Sequence, residues 1–404
     1  MSFLQPSGQS APPMPTPSIL EIGAVFLHLG CTAFGGLAML EPMRRRVVEK
    51  QNWLQPQEFL DGLALCQMLP GATVVQMAAY AGYRLRRTPG ALTAAAGFVL
   101  PAFVLMTGLS YLYFNYGAVP WVKAISRGLN AMVIALLLQA LWRFGRSLGR
   151  GWPEWLVACL TFLALALQAP YLLVLVTAGL LRLALAGGWG ERTNPLTGET
   201  AAENRPSARR LVLQVVAGLA MVSLLVVGLS HWDLILGRMV MIFLKIGAVS
   251  FGGGLVMIPI LQWEVVAHWH WLTIRQFLDG ILLSFVTPGP LIILAAFVGF
   301  WVKGLVGAAV ATFSVFLPPI ACIIILFPFY QNLKEARWMR PVLQGILAAL
   351  VGMLLLVTWQ MGAIALHSFP DLAILAGALL ALTVFKVDLL WVAAAVAGIS
   401  LLIY

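Results

Sequence analysis

The chain reads Phe34-Gly35-Gly36 followed by Pro42, and much later Phe251-Gly252-Gly253-Gly254 followed by Pro259. The same landmarks then follow in the same order. Trp53-Leu54, Phe59-Leu60-Asp61-Gly62 and Pro70-Gly71 in the first stretch answer to Trp271-Leu272, Phe277-Leu278-Asp279-Gly280 and Pro288-Gly289 in the second. Farther on, Gly82 matches Gly299, Gly90 matches Gly307, Pro101 matches Pro318, Gly128 matches Gly345, Trp142 matches Trp359 and Pro153 matches Pro370. One unit is therefore present twice. Two copies that carry Gly and Pro inside apolar runs are the pattern of a carrier with a site between its repeats.

Composition places the chain in a bilayer. Of its 404 residues 61% are hydrophobic and 10% charged. A hydrocarbon core of roughly 30 Å takes about 20 apolar residues to cross as a helix. Candidate spans cover residues 90–113, 131–141 with flanks, 155–180, 211–229, 306–327, 345–359 and 372–402. The third and the last are long enough for two crossings each, broken near Pro170 and Lys386. Backbone polar groups in lipid must be satisfied within the segment, so these runs are helices. The fold class expected is an all-α polytopic membrane protein of two homologous repeats, in inverted topology, with Gly/Pro-broken helices or re-entrant hairpins.

The formal charge of +10 does not signal nucleic acid, because the basic residues sit in short loops between apolar spans. The lipid bilayer is the expected partner, and a homodimer is compatible with the sequence. Cys31, Cys66, Cys159 and Cys322 lie singly in apolar segments, as small buried side chains do. No Walker motif, no HExxH and no Ser/His/Asp trio is present, so neither an enzyme nor a cofactor is expected. His268-Trp269-His270-Trp271 reads as an interfacial aromatic belt.

Residues 1–18 are rich in Pro and Ser and lack Lys and Arg, which reads as a disordered tail and not a cleavable signal. Repeat one spans 19–187 and repeat two 237–404. Residues 188–236 join them by a polar loop and one apolar span, 211–229. Arg44, Arg45, Arg46 and Lys50, then Arg84, Arg86 and Arg87, then Arg143, Arg146 and Arg150 crowd three loops of repeat one. In repeat two the matching loops are poor, and Lys334, Arg337 and Arg340 occupy a different one. This exchange favours inverted repeats. If residues 19–39 and 59–83 and their counterparts dip in and return as hairpins, every basic loop falls on one side; that arrangement is preferred.

Four breaks mark where chemistry is expected: Phe34-Gly35-Gly36, Leu69-Pro70-Gly71, Phe251-Gly252-Gly253-Gly254 and Thr287-Pro288-Gly289-Pro290. Proline removes a donor and glycine admits unusual backbone, so each break yields half-helices. The half-helix that follows begins with free N–H groups and a partial positive charge, which suits an anion. Close helix packing is the competing explanation for any single Gly-Gly. The substrate-binding residues expected are Gly35, Gly36, Pro70, Gly71, Thr73, Gln76, Gly252, Gly253, Gly254, Thr287, Pro288 and Gly289. His28 and Lys245 join them as equivalent cations ahead of each Phe-Gly-Gly. They either serve a proton-driven anion carrier or snorkel to the interface.

Other polar residues read more plainly. Asp61 and Asp279 suit helix N-terminal carboxylates. Glu41, Arg44, Arg45, Arg46 and Glu49 form an amphipathic strip facing headgroups, with Arg44 a candidate for lining an anion entrance. Gln67 and Gln76 flank Pro70-Gly71, whereas the second copy has Phe285 and Ile293 there, so the half-sites are chemically unequal.

The stretch from Phe34-Gly35-Gly36 through Trp53-Leu54, Phe59, Pro70-Gly71 and Gly82-Tyr83 resembles the chromate ion transporter family. The second copy, from Phe251-Gly252-Gly253-Gly254 to Thr287-Pro288-Gly289-Pro290 and Gly299, is similar to its pattern too. The resemblance covers nearly the whole chain and is to the long, two-domain members. It implies efflux of chromate across the bacterial inner membrane, energised by membrane potential or proton gradient, with chromate resistance as the outcome. The chain departs from the pattern at Ala72, where many members have Pro, and at Leu37, where many long members have Pro. The leading expectation is thus a carrier of chromate or sulfate. A membrane enzyme acting on lipid phosphate lacks a nucleophile or metal cluster, and a channel would not show saturable, counter-ion-dependent uptake.

Overall fold

The computed structural model describes residues 17–34, 36–116, 119–148, 151–185, 223, 228–229, 231, 233–250, 254–327 and 339–404. The expected tail up to residue 16, the polar loop 188–210, most of the span 211–229, and Gly35, Gly252 and Gly253 lie outside the described residues. Ser18, placed by the sequence in the tail, instead caps the first helix in a capping box with Glu21. Among the described residues every regular element is helical. Repeat one comprises α1 (Ile19–Thr32), α2 (Leu40–Arg44), α3 (Pro56–Met68), α4 (Thr73–Tyr116), α5 (Pro120–Ser147), α6 (Trp152–Ala166) and α7 (Tyr171–Leu185). Repeat two comprises α8 (Leu234–Val249), α9 (Met257–Gln262), α10 (Ile274–Val286), α11 (Leu294–Leu326), α12 (Met339–Ala365), α13 (Phe369–Thr383) and α14 (Leu389–Ile403). The π-helical segments Arg45–Lys50 and Trp263–His268 extend α2 and α9.

The repetition extends to individual backbone angles. Positive φ falls at Asn52 and His270 (50° each), Gly71 and Gly289 (134° and 112°), Arg87 and Gly304 (52° and 59°), and Gln168 and Lys386 (63° and 52°). The third pair reverses the chain inside α4 and α11. A Cβ on Gly90 would lie 2.1 Å from the carbonyl oxygen of Gly82, and one on Gly307 would lie 2.1 Å from that of Gly299. In a straight helix residues at this spacing stand about 12 Å apart. Each helix is therefore two arms folded back on each other, 73–85 with 88–116 and 294–302 with 305–326.

The first arm of α4 returns along α3. Tyr80 donates its hydroxyl to the Glu58 carbonyl at 2.9 Å, the Glu58 carboxylate pairs with Arg84, and Gly62 leaves room for the Tyr80 ring. Gly280 accommodates Phe297 in the same way in repeat two. These segments are hairpins with Pro70-Gly71 and Pro288-Gly289 at their tips and both ends on one face. The earlier segments also return. Pro17, ahead of α1, accepts a bond from Arg86 at 2.9 Å, and only residues 51–55 separate the π-helical segment from α3. In repeat two Lys303 pairs with Asp233, whose carboxyl is held below the usual range by that ammonium and by the N–H of Ile235. Arg238, near the start of α8, stacks 5.3 Å from the Trp269 ring just past the return arm.

The relative direction of the repeats follows from the long arm of α4. At residues 88–116 it measures roughly 43 Å. It starts at the base of its own hairpins and passes the other repeat's tip, with Ala102 against Gly289 and Met106 sulfur 3.8 Å from the Thr287 hydroxyl. It ends at the other repeat's base, with Tyr113 on Asp279 and Phe114 4.7 Å from Trp301. The long arm of α11 does the reverse, with Pro319 against Gly71 and Phe327 against Tyr80 and Tyr83. The two bases thus lie on opposite faces, and the repeats are inverted.

Outer helices are exchanged between the copies. Arg127 of α5 bonds the carboxylate of Asp371 on α13 at 3.2 Å and stacks 4.2 Å from the ring of Tyr404. Gly345 and Gly352 of α12 let it settle on the Ala178 and Ala158 carbonyls of α7 and α6. Among the described residues, four helical stretches are long and apolar enough to cross a bilayer: Thr73–Tyr116, Pro120–Ser147, Leu291–Leu326 and Pro341–Ala365. The runs 155–180 and 372–402 each hold two helices, broken near Pro170 and Lys386 as the sequence indicated, but α6, α7, α13 and α14 have only 15 residues apiece. At about 22 Å each falls short of a straight crossing.

Candidate functional site

Each re-entrant α1-type helix ends inside the protein with carbonyls that have no partner of their own. Ala33 caps α1 and Ser250 caps α8. The Gly289 N–H donates to the Ala33 carbonyl at 3.0 Å, and the Gly71 N–H donates to the Ser250 carbonyl. The tip of one repeat's second hairpin therefore closes the end of the other repeat's first. Both glycines hold a left-handed φ that L side chains avoid. Both also lie under a residue of the opposite long arm, since a Cβ on Gly71 would meet Pro319, and one on Gly289 would meet Ala102, at 2.6 Å. Gly254 completes the cluster, with its Cβ direction 2.8 Å from Leu291 in the neighbouring hairpin.

Most of the described tip residues come together here. Pro288, Gly289, Thr287, Gly71, Thr73 and Gln76 are buried and Pro70 is half-buried. Gln76, with no exposed surface, donates to the Pro70 carbonyl at 2.7 Å and leaves its side-chain oxygen without a hydrogen-bond partner among the described residues. The Thr287 hydroxyl donates to Leu283 at 2.7 Å. The N–H groups of Gly71 and Gly289 are likewise engaged, so in this conformation the tips present closed backbone. Gly36 opens a 3-10 turn, Gly36–Met39, that packs against α4.

The two predicted cations are not gathered at the tips. His28 is exposed on α1. Lys245 of α8 pairs with Glu264 of the return arm. Gln67 is exposed, unlike Gln76. Arg44 is neutralised by Glu41 at 3.0 Å and Glu49 at 2.9 Å, so it forms part of a self-paired strip. Asp279 lies in the second turn of α10, because Thr273 takes the capping position. It is buried and accepts from the Tyr113 hydroxyl at 2.5 Å.

Two features escaped the sequence reading. One is the acid Glu264, whose signal was a lone carboxylate in the apolar run 255–267. The other is a cavity of about 310 Å³ lined by Gln168, Gln262, Trp263, His268 and Gln360 among others. Its exposed rim residues, Gln168 and His268, lie on the face from which the hairpins of repeat two enter. Among the described residues no group of three His, Cys, Asp or Glu side chains is placed to hold a metal ion.

Paired re-entrant hairpins in inverted repeats are an architecture of membrane carriers, and comparison with known proteins names the kind. The chromate transporter family model matches residues 20–183 and 237–401, once per repeat. The chain belongs to the chromate transporter family. It is 32% identical over 343 residues to the chromate transport protein of Cupriavidus metallidurans, covering 84% of this chain and 81% of that one. It is 32% identical over 373 residues to the chromate transport protein of Pseudomonas aeruginosa, covering 90% and 85%. An uncharacterised transporter of Methanocaldococcus jannaschii is 30% identical over 347 residues, covering 85% and 84%. No solved structure matches the chain. As a member of this family the protein is a multi-pass membrane protein of a transporter class, and the tip cluster is its candidate site.

Proposed function

We propose that this chain is a secondary carrier that exports chromate, or a similar tetrahedral oxyanion such as sulfate, across the bacterial inner membrane by alternating access, and so confers chromate resistance. The observation that carries the reading is the reciprocal closure of the hairpin tips, Gly71 on Ser250 and Gly289 on Ala33. Inverted repeats provide two exchanged arrangements of the same contacts, one open to each face. Each closure rests on one backbone hydrogen bond, worth only about 1 kcal/mol net, so exchanging them is cheap. When a tip parts, the freed N–H groups and the start of the following helix face the anion. The small neutral tips themselves add no fixed countercharge to a bound dianion, which keeps it releasable.

The face bearing Lys50, Arg84, Arg86, Arg87, Arg143 and Arg146 is assigned to the cytoplasm. Potential alone is a sufficient driving force for export. Moving one charge through 100 mV is worth about 2.3 kcal/mol, so a dianion leaving a negative interior gains about 4.6 kcal/mol. A proton gradient is the other candidate source. Relatives named for chromate transport support chromate over other anions.

The test is uptake of radiolabelled chromate by everted vesicles, with and without a protonophore and with excess sulfate. Saturable uptake abolished by the protonophore supports an energised carrier, and competition by sulfate sets its selectivity. Absence of uptake by correctly inserted protein overturns the chromate reading.

A further inference from the structure

Lys245 lies about 16 Å along α8 from its first residue, well inside the apolar zone. Its ammonium pairs with Glu264, which has no exposed surface, while the Lys245 side chain is 35% exposed. The Tyr171 hydroxyl, from α7 of the other repeat, donates to the same carboxylate oxygen of Glu264 at 2.8 Å, and Lys245 lies 5.5 Å from the Tyr171 ring. The second oxygen of Glu264 is buried and has no hydrogen-bond partner among the described residues. That unsatisfied oxygen does not stabilise a buried pair, and it leaves a place for a proton. Nor does the repeat require the pair. The matching positions in repeat one are His28 on α1 and Arg46, second in its π-helical segment, and together they carry no acid.

We infer that Glu264 and Lys245 form a proton-gated anion site: a proton taken up on the free oxygen of Glu264 neutralises the carboxylate and leaves the Lys245 ammonium to the oxyanion. This inference rests on the oxyanion-carrier reading and adds the coupling. With Glu264 ionised, the carboxylate occupies the ammonium and the anion is repelled. With Glu264 protonated, the carboxyl still accepts from Tyr171, and the partly exposed ammonium attracts a dianion. One proton then accompanies each anion bound, so export carries one net negative charge outward, driven by the membrane potential and opposed by the proton gradient, and loss of that proton expels the anion. The groups facing Glu264 are Lys245 from α8 and Tyr171 from α7. On its own segment His268 stacks on Trp263 at 5.1 Å, and Trp263 in turn touches Tyr171. Arg238 stands farther out against Trp269. The stretch of α12 along the cavity, 353–360, has no ionisable residue. Trp263, which touches Tyr171, lines the cavity, so the pair is joined to the cavity wall through these two aromatic side chains.

The experiment is calorimetric titration of the full-length protein in lipid nanodiscs with chromate between about pH 8 and 9.5, where the ligand is a dianion, in two buffers of different ionisation enthalpy. The wild type is expected to take up close to one proton per chromate, with affinity falling about tenfold per pH unit. Glu264→Gln is expected to bind with no pH dependence and no proton uptake, and Lys245→Met to lose at least tenfold in affinity at every pH. Wild-type binding without proton uptake overturns the proposal while leaving the carrier reading intact, and needs no variant to fold. Unaltered pH dependence in Glu264→Gln overturns it as well. No binding and no transport of either chromate or sulfate by the wild type overturns the carrier reading and this inference with it.

Discussion

The N–H of Gly289 donates to the carbonyl of Ala33 at 3.0 Å, joining the tip of a hairpin in repeat two to the end of the first helix of repeat one. Its twin, Gly71 to Ser250, makes the contact reciprocal, as a pseudo-two-fold axis demands. Two demands fall on Gly289 at once: φ of 112° and a Cβ direction 2.6 Å from Ala102.

Gly289→Ala is therefore expected to destabilise the protein by about 1–3 kcal/mol through backbone strain alone, with further loss from the clash. Ala102→Gly removes the clash but not the strain, so the double variant recovers stability only in part. Gly108→Ala, where the added atom meets nothing within 4 Å, is the control. Thermal unfolding in detergent measures all three. Equal stability of Gly289→Ala and wild type would remove the tip from the account.

Folding the arms of α11 back on each other places Gly307 against the Gly299 carbonyl. Gly307→Val drives a side chain into backbone that has no room to move, and a loss of at least about 3 kcal/mol is expected. The variant should fail to accumulate in membranes, whereas Gly377→Val, facing open space, should accumulate normally. Immunoblots of membrane fractions decide the matter.

The glycine and proline positions were legible because their roles are local. A missing Cβ or N–H breaks a helix wherever the helix lies, and matched breaks in two copies exposed the hairpins before any contact was known. The inversion was legible from loop charge. Pairings across the repeats were not. Lys245 read as a substrate cation because Glu264 reaches it only after the chain turns back at the tip, and Tyr171 arrives from the other copy. Asp279 read as a helix-end carboxylate, since nothing local announces Tyr113. The breaks between the 15-residue outer helices were legible near Pro170 and Lys386, but their shortness was not, because apolar composition continues through the breaks.

Tyr113 and Asp279 join the end of one repeat's long arm to the base of the other's hairpin. A hydrogen bond to a buried carboxylate is worth about 1.5–3 kcal/mol. Tyr113→Phe and Asp279→Asn are each expected to cost that order, and the double variant less than their sum, with a coupling of about 1–3 kcal/mol. Additive losses in chemical or thermal unfolding would show that the contact does not link the repeats.

Inversion and re-entry together fix which residues share a face, and labelling reads this directly. With Cys31, Cys66, Cys159 and Cys322 replaced, single cysteines at Lys50, Arg84 and Arg143 should react with a membrane-impermeant thiol reagent only from the cytoplasmic side. Cysteines at Arg275, Lys303 and Gln168 should react only from the opposite side. Lys50 and Arg84 are the decisive pair. They flank the second hairpin of repeat one, and a full crossing by the segment 56–85 would put them on opposite faces. Everted and right-side-out vesicles give the two accessibilities in one experiment. Labelling of Lys50→Cys from outside, with Arg84→Cys labelled from inside, would replace the second hairpin with a crossing and displace its tip from the site.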